Sequence, residues 1–221
     1  NVVDICPVGA LTNREFRFKA RVWDMAHTNT ICNGCARGCN VEVWTRNNEV
    51  LRLVPRYNEE VNSYWMCDHG RLNTFKFINA GDRVDGPHMR VEGNLINVGW
   101  DEVFAKAASS LKAFGKDEIA VLGSAYATVE DNFVAAKFAR SVLGTGHLDF
   151  IRHINSSFGD DILKNEDVTP NSKGAELVGV KPSKNGFDFN GIIKLIREGK
   201  IKALYVLEDD ILNDNPELEN V

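Results

Sequence analysis

The stretch Cys32–Arg71 opens with CNGCARGC and closes with CDHGR, and its spacing decides how the chain is read. Written out, it is C-x2-C-x3-C-x27-C, with Cys32, Cys35, Cys39 and Cys67 as the four sulfurs. Short spacings let three thiolates converge from one tight loop, while the fourth arrives from a distant strand or turn. That three-plus-one pattern suits a [4Fe–4S] cube, which takes one thiolate on each iron. Gly34 and Gly38 fit a loop that needs residues free to adopt positive φ. Its backbone N–H groups can also face the sulfides and offset their charge. A structural zinc site usually shows two C-x2-C pairs, whereas the far end here has one cysteine. A disulfide framework suits a small secreted domain and an even count, and this longer chain has five cysteines. The cluster reading is preferred.

At 221 residues, 43% hydrophobic and 26% charged, the composition is that of an ordinary soluble chain with room for one large or two small domains. A net charge of −5 argues against a nucleic-acid surface and against a polybasic membrane anchor. No apolar run approaches the roughly 20 residues that span a bilayer, so direct membrane insertion is not expected. The opening NVVDICPVG has no basic n-region and no h-region, which together with reduced cysteines favours the cytoplasm. There is no initiator methionine, and both ends fall within structured-looking sequence, so a piece of something longer is expected.

Along the chain, CPVGALT places Cys6 before a proline, the closing signature of a ferredoxin-type cluster run. On the residues alone, a lone thiol beside a turn proline serves equally well. REFRFKARVW alternates apolar and charged residues, which predicts a half-buried strand. His27 is either a packing histidine or a metal ligand. VEVWT and EVLRLVP around Arg46-Asn47-Asn48 predict a β-hairpin. Tyr64, Trp65 and Met66 supply apolar bulk beside Cys67 and are expected in the small core. Residues 72–99 read as irregular connection with one short strand pair.

The grammar then changes. WDEVFAKAASSLKAF is a helix, EIAVLGS a strand, and TVEDNFVAAKFARSVLG a helix with Thr128 as N-cap and Gly144 beyond its end. HLDF is a short strand, residues 154–188 are loop-rich, FNGIIKLIREGK is a helix and IKALYVLED a strand. This alternation predicts an open, mostly parallel α/β sheet. Gly123 and Gly144 belong to no G-x-G-x-x-G run. The Ser124–Thr128 loop stands at a strand's carboxyl end, where such sheets bind ligands.

CPVGALTNREFRFKARVW followed by the four-cysteine motif resembles the iron–sulfur, molybdopterin-oxidoreductase-like subunit of bacterial NADH–quinone oxidoreductase, respiratory complex I. ARSVLGTGHLDF, NSKGAELVGV and REGKIKALYVLEDD resemble the molybdopterin-fold part of that subunit. The resemblance implies an α/β fold with a small β-rich iron–sulfur subdomain, of the formate dehydrogenase domains 1–3 type and incomplete. Its implied spans are 1–25, the end of an upstream ferredoxin-like domain; 26–80, the [4Fe–4S] subdomain; and 81–221, the first part of the α/β domain. It assigns Cys32, Cys35, Cys39 and Cys67 to one [4Fe–4S] cluster and Cys6 to a different one, whose other ligands lie upstream. It implies electron transfer within the complex, other peripheral-arm subunits as partners, and a cytoplasmic position on the inner face of the membrane. Arg37 and Arg71 either lend positive charge to the cluster or are solvated surface residues. The alternative is a catalytic molybdenum or tungsten enzyme of the formate dehydrogenase type. Such enzymes carry a lysine two residues after the last cluster cysteine, where this chain has His69, so no molybdopterin is expected.

Overall fold

Asn47 and Asn48 turn the chain at the point the hairpin pattern requires, with φ of 50° and 62° in the computed structural model, which describes residues 1–216. Residues 217–221, the end of the expected 81–221 span, lie outside the described residues. Positive φ at both central residues matches the turn to the right-handed twist of its strands. The chain divides into two compact units, Asn1–Arg83 with His153–Pro170, and Val84–Arg152 with Asn171–Val221.

The first unit holds the short helix α1 (Val2–Ile5) and an antiparallel sheet of β1 (Ala26–Ile31), β2 (Asn40–Arg46) and β3 (Glu49–Pro55), in that order. Helix α2 (Asp68–Leu72) follows. Val41, Val50, Leu53, Met66 and Phe75 form its core together with Cys32 and Cys39. Of the apolar bulk expected there, Met66 is fully buried. Tyr64 and Trp65 are on the surface, with the Tyr64 ring tilted against Tyr57 at 4.4 Å.

REFRFKARVW is not a strand. Residues 14–19 are turns and Val22–Asp24 is a single 3-10 turn. Phe18 has φ of 67° and is 91% exposed, and Phe16 lies under the Arg52 guanidinium at 4.6 Å. Alternation makes a strand only where a sheet edge accepts it, and the strand that pairs with β2 is β1. Its sequence AHTNTI has no apolar alternation and all six residues are exposed, so backbone pairing and the His27 ring on Trp44 hold it.

In the second unit, β4 (His88–Val91) and β5 (Asn94–Asn97) form a hairpin, the strand pair expected between 72 and 99. Then come α3 (Trp100–Lys112), β6 (Ile119–Gly123), α4 (Val129–Lys137) with a π turn at Phe138–Leu143, and β7 (Leu148–Phe150). Next are α5 (Ser172–Leu177), α6 (Phe189–Arg197), β8 (Ala203–Val206) and α7 (Ile211–Asp214). The sheet runs β7-β6-β8, parallel throughout. Every residue of β6 is buried, because successive side chains enter opposite layers. Val121 packs with Ala136, Ala139, Phe150 and Val180, while Ala120 and Leu122 pack with Ile192 and Ile201. Thr128 caps α4 by accepting the Asp131 N–H at 3.1 Å, and Gly144 ends the π turn at φ 69°.

The carboxyl end of β6 is held by protein groups. Asn132 Oδ1 accepts the Ser124 N–H at 3.1 Å and its Nδ2 donates to Ser124 O at 2.7 Å. Ser124 Oγ donates to Glu208 O at 3.0 Å. Among the described residues no helix is long and apolar enough to cross a membrane.

Candidate metal centre

The loop carrying three cysteines is the connection of a β-hairpin. Ile31 and Asn40 form the last pair between β1 and β2, and beyond them the Cys32 N–H donates to Cys39 O at 2.8 Å. Inside this closed loop the Gly38 N–H reaches Cys35 O at 3.4 Å, with Gly38 at φ +66°. Gly34 has a different reason to be glycine: a Cβ there would stand 2.8 Å from Thr74 Cγ2 and 3.3 Å from the His69 ring. Cys32, Cys35 and Cys39 are all buried.

Cys67 reaches them as the N-cap of α2, where its sulfur accepts the Gly70 N–H at 3.3 Å. Gly70 lies between two of the sulfurs. A Cβ on it would meet Cys32 Sγ at 2.9 Å and Cys67 Sγ at 3.6 Å. Asn62 sets the approach of this segment. Its Oδ1 accepts the Asn40 N–H at 2.9 Å and its Nδ2 donates to Trp65 O at 3.1 Å. The base of the cysteine loop is thereby tied to the residues that deliver Met66 and Cys67. Nothing in the spacing of the sequence marks Asn62 for this work.

Two of the thiols are perturbed by burial and by their neighbours. Burial pushes the Cys39 thiol up to about 11, the neighbouring Cys32, Cys35 and Cys67 add to the rise, and Arg37 opposes it. Cys32 is likewise pushed up by burial, partly relieved by the Gly34 N–H, with Cys67 and Cys35 adding to the rise. Four thiolates crowded into a buried space repel one another, and a cationic core between them removes that penalty. The donor set therefore fits an iron–sulfur cluster. Among the described residues, no three Cys, His, Asp or Glu side chains close to the distances of a single ion.

The two flanking arginines are placed differently. Arg71 is buried and ion-paired to Asp4, with Nη1 donating to Oδ1 at 3.1 Å and a second bond from Nη2 to Oδ2. Arg37 is exposed and clamps Val61 O through Nε and Nη2 at 3.1 and 2.9 Å, yet its charge still bears on Cys39. His27 stacks on its cross-strand partner Trp44 at 4.7 Å, a packing role.

None of these four cysteines bears on Cys6. Its sulfur faces backbone N–H groups of Leu11 and Val8, and those of Ala10 and Gly9, which lower its thiol against the opposing effect of burial. Asn1 and Asp4 tie the helix before it to the Cys67 segment, Asn1 Nδ2 donating to Met66 O at 2.8 Å.

Residues 25–74 match the family described as NADH-ubiquinone oxidoreductase NDSU1/NuoG-like, 4Fe-4S domain, and residues 83–171 match the molybdopterin oxidoreductase family. An NADH-quinone oxidoreductase subunit of Thermus thermophilus, the third by its numbering, is 39% identical over 150 residues, which are 68% of this chain and 19% of that protein. A NADH-quinone oxidoreductase subunit of Streptomyces coelicolor is 36% identical over 164 residues, 74% of this chain and 19% of its own length. The equivalent subunit of Rickettsia bellii is 35% identical over 144 residues, 64% and 21% respectively. The chain spans about a fifth of the length of these curated relatives. With an iron–sulfur domain followed by a molybdopterin-oxidoreductase domain, it resembles the NuoG-like iron–sulfur subunit of bacterial NADH–quinone oxidoreductase.

Proposed function

We propose that this chain is an electron-transfer part of an NADH–quinone oxidoreductase, holding a [4Fe–4S] cluster on Cys32, Cys35, Cys39 and Cys67 and lending Cys6 to a different cluster. The observation that carries the reading is the placement of four cysteines, three buried on one hairpin connection and the fourth capping α2, with the Cys32 and Cys67 sulfurs on either side of Gly70. Bound there, the cluster supplies a one-electron centre and makes or breaks no substrate bond. The chain's own residues hold and tune it. The Gly70 N–H donates to Cys67 sulfur, the Gly34 N–H eases the Cys32 thiol, Met66, Val41 and Phe75 exclude water, and Arg37 adds positive charge beside Cys39. The backbone N–H groups of the turn lower the Cys6 thiol, which supports its role as a thiolate ligand. The partners proposed are other peripheral-arm subunits of the complex, with no nucleic acid and no direct insertion in the membrane. The complex would hold the chain on the cytoplasmic face.

Replacing any one of Cys32, Cys35, Cys39 or Cys67 by Ser should abolish or strongly perturb one [4Fe–4S] signal in anaerobic EPR, whereas Cys6→Ser should leave that signal intact. Wild-type spectra and iron content in all four variants would refute the assignment. A colourless protein carrying zinc would make the centre a structural scaffold. The match to molybdopterin oxidoreductases over 83–171 keeps a second reading in view, a molybdenum or tungsten enzyme. We take no pterin to be bound, because His69 stands at the lysine position and the polar groups of Ser124 and Asn132 are met within the protein. A stoichiometric fluorescent pterin after acid-iodine treatment would reverse that preference.

A further inference from the structure

After β7 the chain returns to the first unit as the loop 153–170, which contacts the cysteine connection. It is self-supporting. Asn155 N–H donates to Glu166 O at 2.8 Å and Val168 N–H to His153 O at 3.0 Å, so the two arms pair. At its tip Asp160 Oδ1 accepts the N–H groups of Ile162, Leu163 and Lys164 at 2.9, 2.6 and 2.9 Å. Two contacts join it to the metal centre. The Ala36 N–H, next to Cys35, donates to Asp167 O at 2.9 Å. Phe158 meets the His69 ring edge-on, with centroids 4.9 Å apart at 82°. His69 in turn lies against Gly34, where its Cδ2 is 3.3 Å from the place a Cβ would take. The Lys164 ammonium also lies over Phe158, 4.9 Å from the ring centre.

We infer that Phe158 is a positioning residue for the metal centre: through His69 it holds the 153–170 loop against the Cys32–Cys35 turn, excludes water there and keeps the potential of the centre low. The inference rests on the cluster reading above. Reduction adds one negative charge to the centre, and water nearby stabilises that charge, so a drier site is harder to reduce. His69 occupies a position that the sequence singled out and that ligation leaves unused. Its ring spans the gap between the loop and the cysteine turn.

The test uses the full chain loaded with iron and sulfide. Phe158→Ala should speed Ala36 amide exchange and iron release to an iron chelator by up to about tenfold, the scale of one lost aromatic contact. It should also move the midpoint potential upward in a mediated titration with dithionite as reductant. Phe158→Tyr should restore all three readings. Should Phe158→Ala fail to load iron, Asp160→Ala loosens the same loop from its tip and should give the same directions. Normal iron uptake with unchanged release and potential in the loosened variants overturns the inference alone. A wild-type chain that takes up no iron overturns the cluster reading and this inference with it.

Discussion

The two units are stabilised in different ways. In the unit of Asn1–Arg83 and His153–Pro170, cysteines are part of the core: Cys32 and Cys39 pack with Val41, Met66 and Phe75. Their neighbours are organised by backbone and side-chain clamps such as Asn62 and the Asp4–Arg71 pair. In the unit of Val84–Arg152 and Asn171–Val221, both faces of a parallel sheet are covered by aliphatic and aromatic side chains, with no cysteine among them. The first unit therefore folds around thiols that repel one another when ionised, while the second needs only its apolar layers. Metal occupancy should matter to one and not to the other.

Removing the iron gives the largest expected effect. Because a metal site rarely exists in the unfolded chain, the free energy of binding is also free energy of folding. Chelation, or Cys67→Ser, should cost the amides of β2 and β3 on the order of hundredfold in exchange protection, while those of β6 keep theirs. Equal loss in both would show that the units are not independent. The converse change comes next in size. Phe150 is fully buried against Val121, Ala136 and Val180. Phe150→Ala should cost about 3–5 kcal/mol in denaturant unfolding of the second unit, the usual range for an emptied aromatic site. Iron content and the EPR signal should not change. A parallel fall in iron would break the distinction from the other side.

Much of this division was readable from the residues, and the failures share a cause. The parallel sheet followed from alternating helices and apolar strands, and β6, β7 and β8 lie where EIAVLGS, HLDF and IKALYVLED put them. The hairpin of β2 and β3 followed from its two asparagines. Local signals sufficed because each element carries its own periodicity or turn chemistry. The strand β1 was missed because AHTNTI buries nothing, and REFRFKARVW misled because its alternation faces no sheet. Likewise, the four cysteines were legible as a spacing, whereas the contact of the 153–170 loop with their connection was not. Asp167 reaches Ala36 through its backbone carbonyl, and Phe158 reaches His69 across 89 residues of sequence. Contacts of that kind exist only once the fold has formed. Arg71 illustrates the same point: its charge is spent on Asp4, a pairing no local pattern announces.

The smallest predicted effect is one of pH, and it should be confined to the second unit. His147 is 5% exposed, its ring stacks on Phe187 at 5.5 Å, and its Nδ1 accepts the Phe187 N–H at 3.3 Å. A ring nitrogen that accepts a hydrogen bond carries no proton, so this contact requires the neutral imidazole. Burial lowers the His147 pKa from its ordinary 6.5, and the charge of Asp117 only partly offsets this. The unfolded chain consequently binds the proton more readily than the folded one, and stability rises with pH through that interval. It is complete above about 6.5 and declines as the pH falls below the ordinary value towards the lowered one. The decline should be comparable to one hydrogen bond, about 0.5–1.5 kcal/mol. Amide exchange of Ile119–Gly123 between pH 7.5 and pH 5, corrected for intrinsic rates, should show it, and β2 in the iron-loaded chain should not. His147→Gln keeps an acceptor for the Phe187 N–H and cannot take up the charge. It should flatten the pH dependence of β6 while leaving its protection at pH 7.5 near that of the parent. If the slope persisted in His147→Gln, the proton would have to bind elsewhere in the second unit, and the asymmetry between the units would then have another origin.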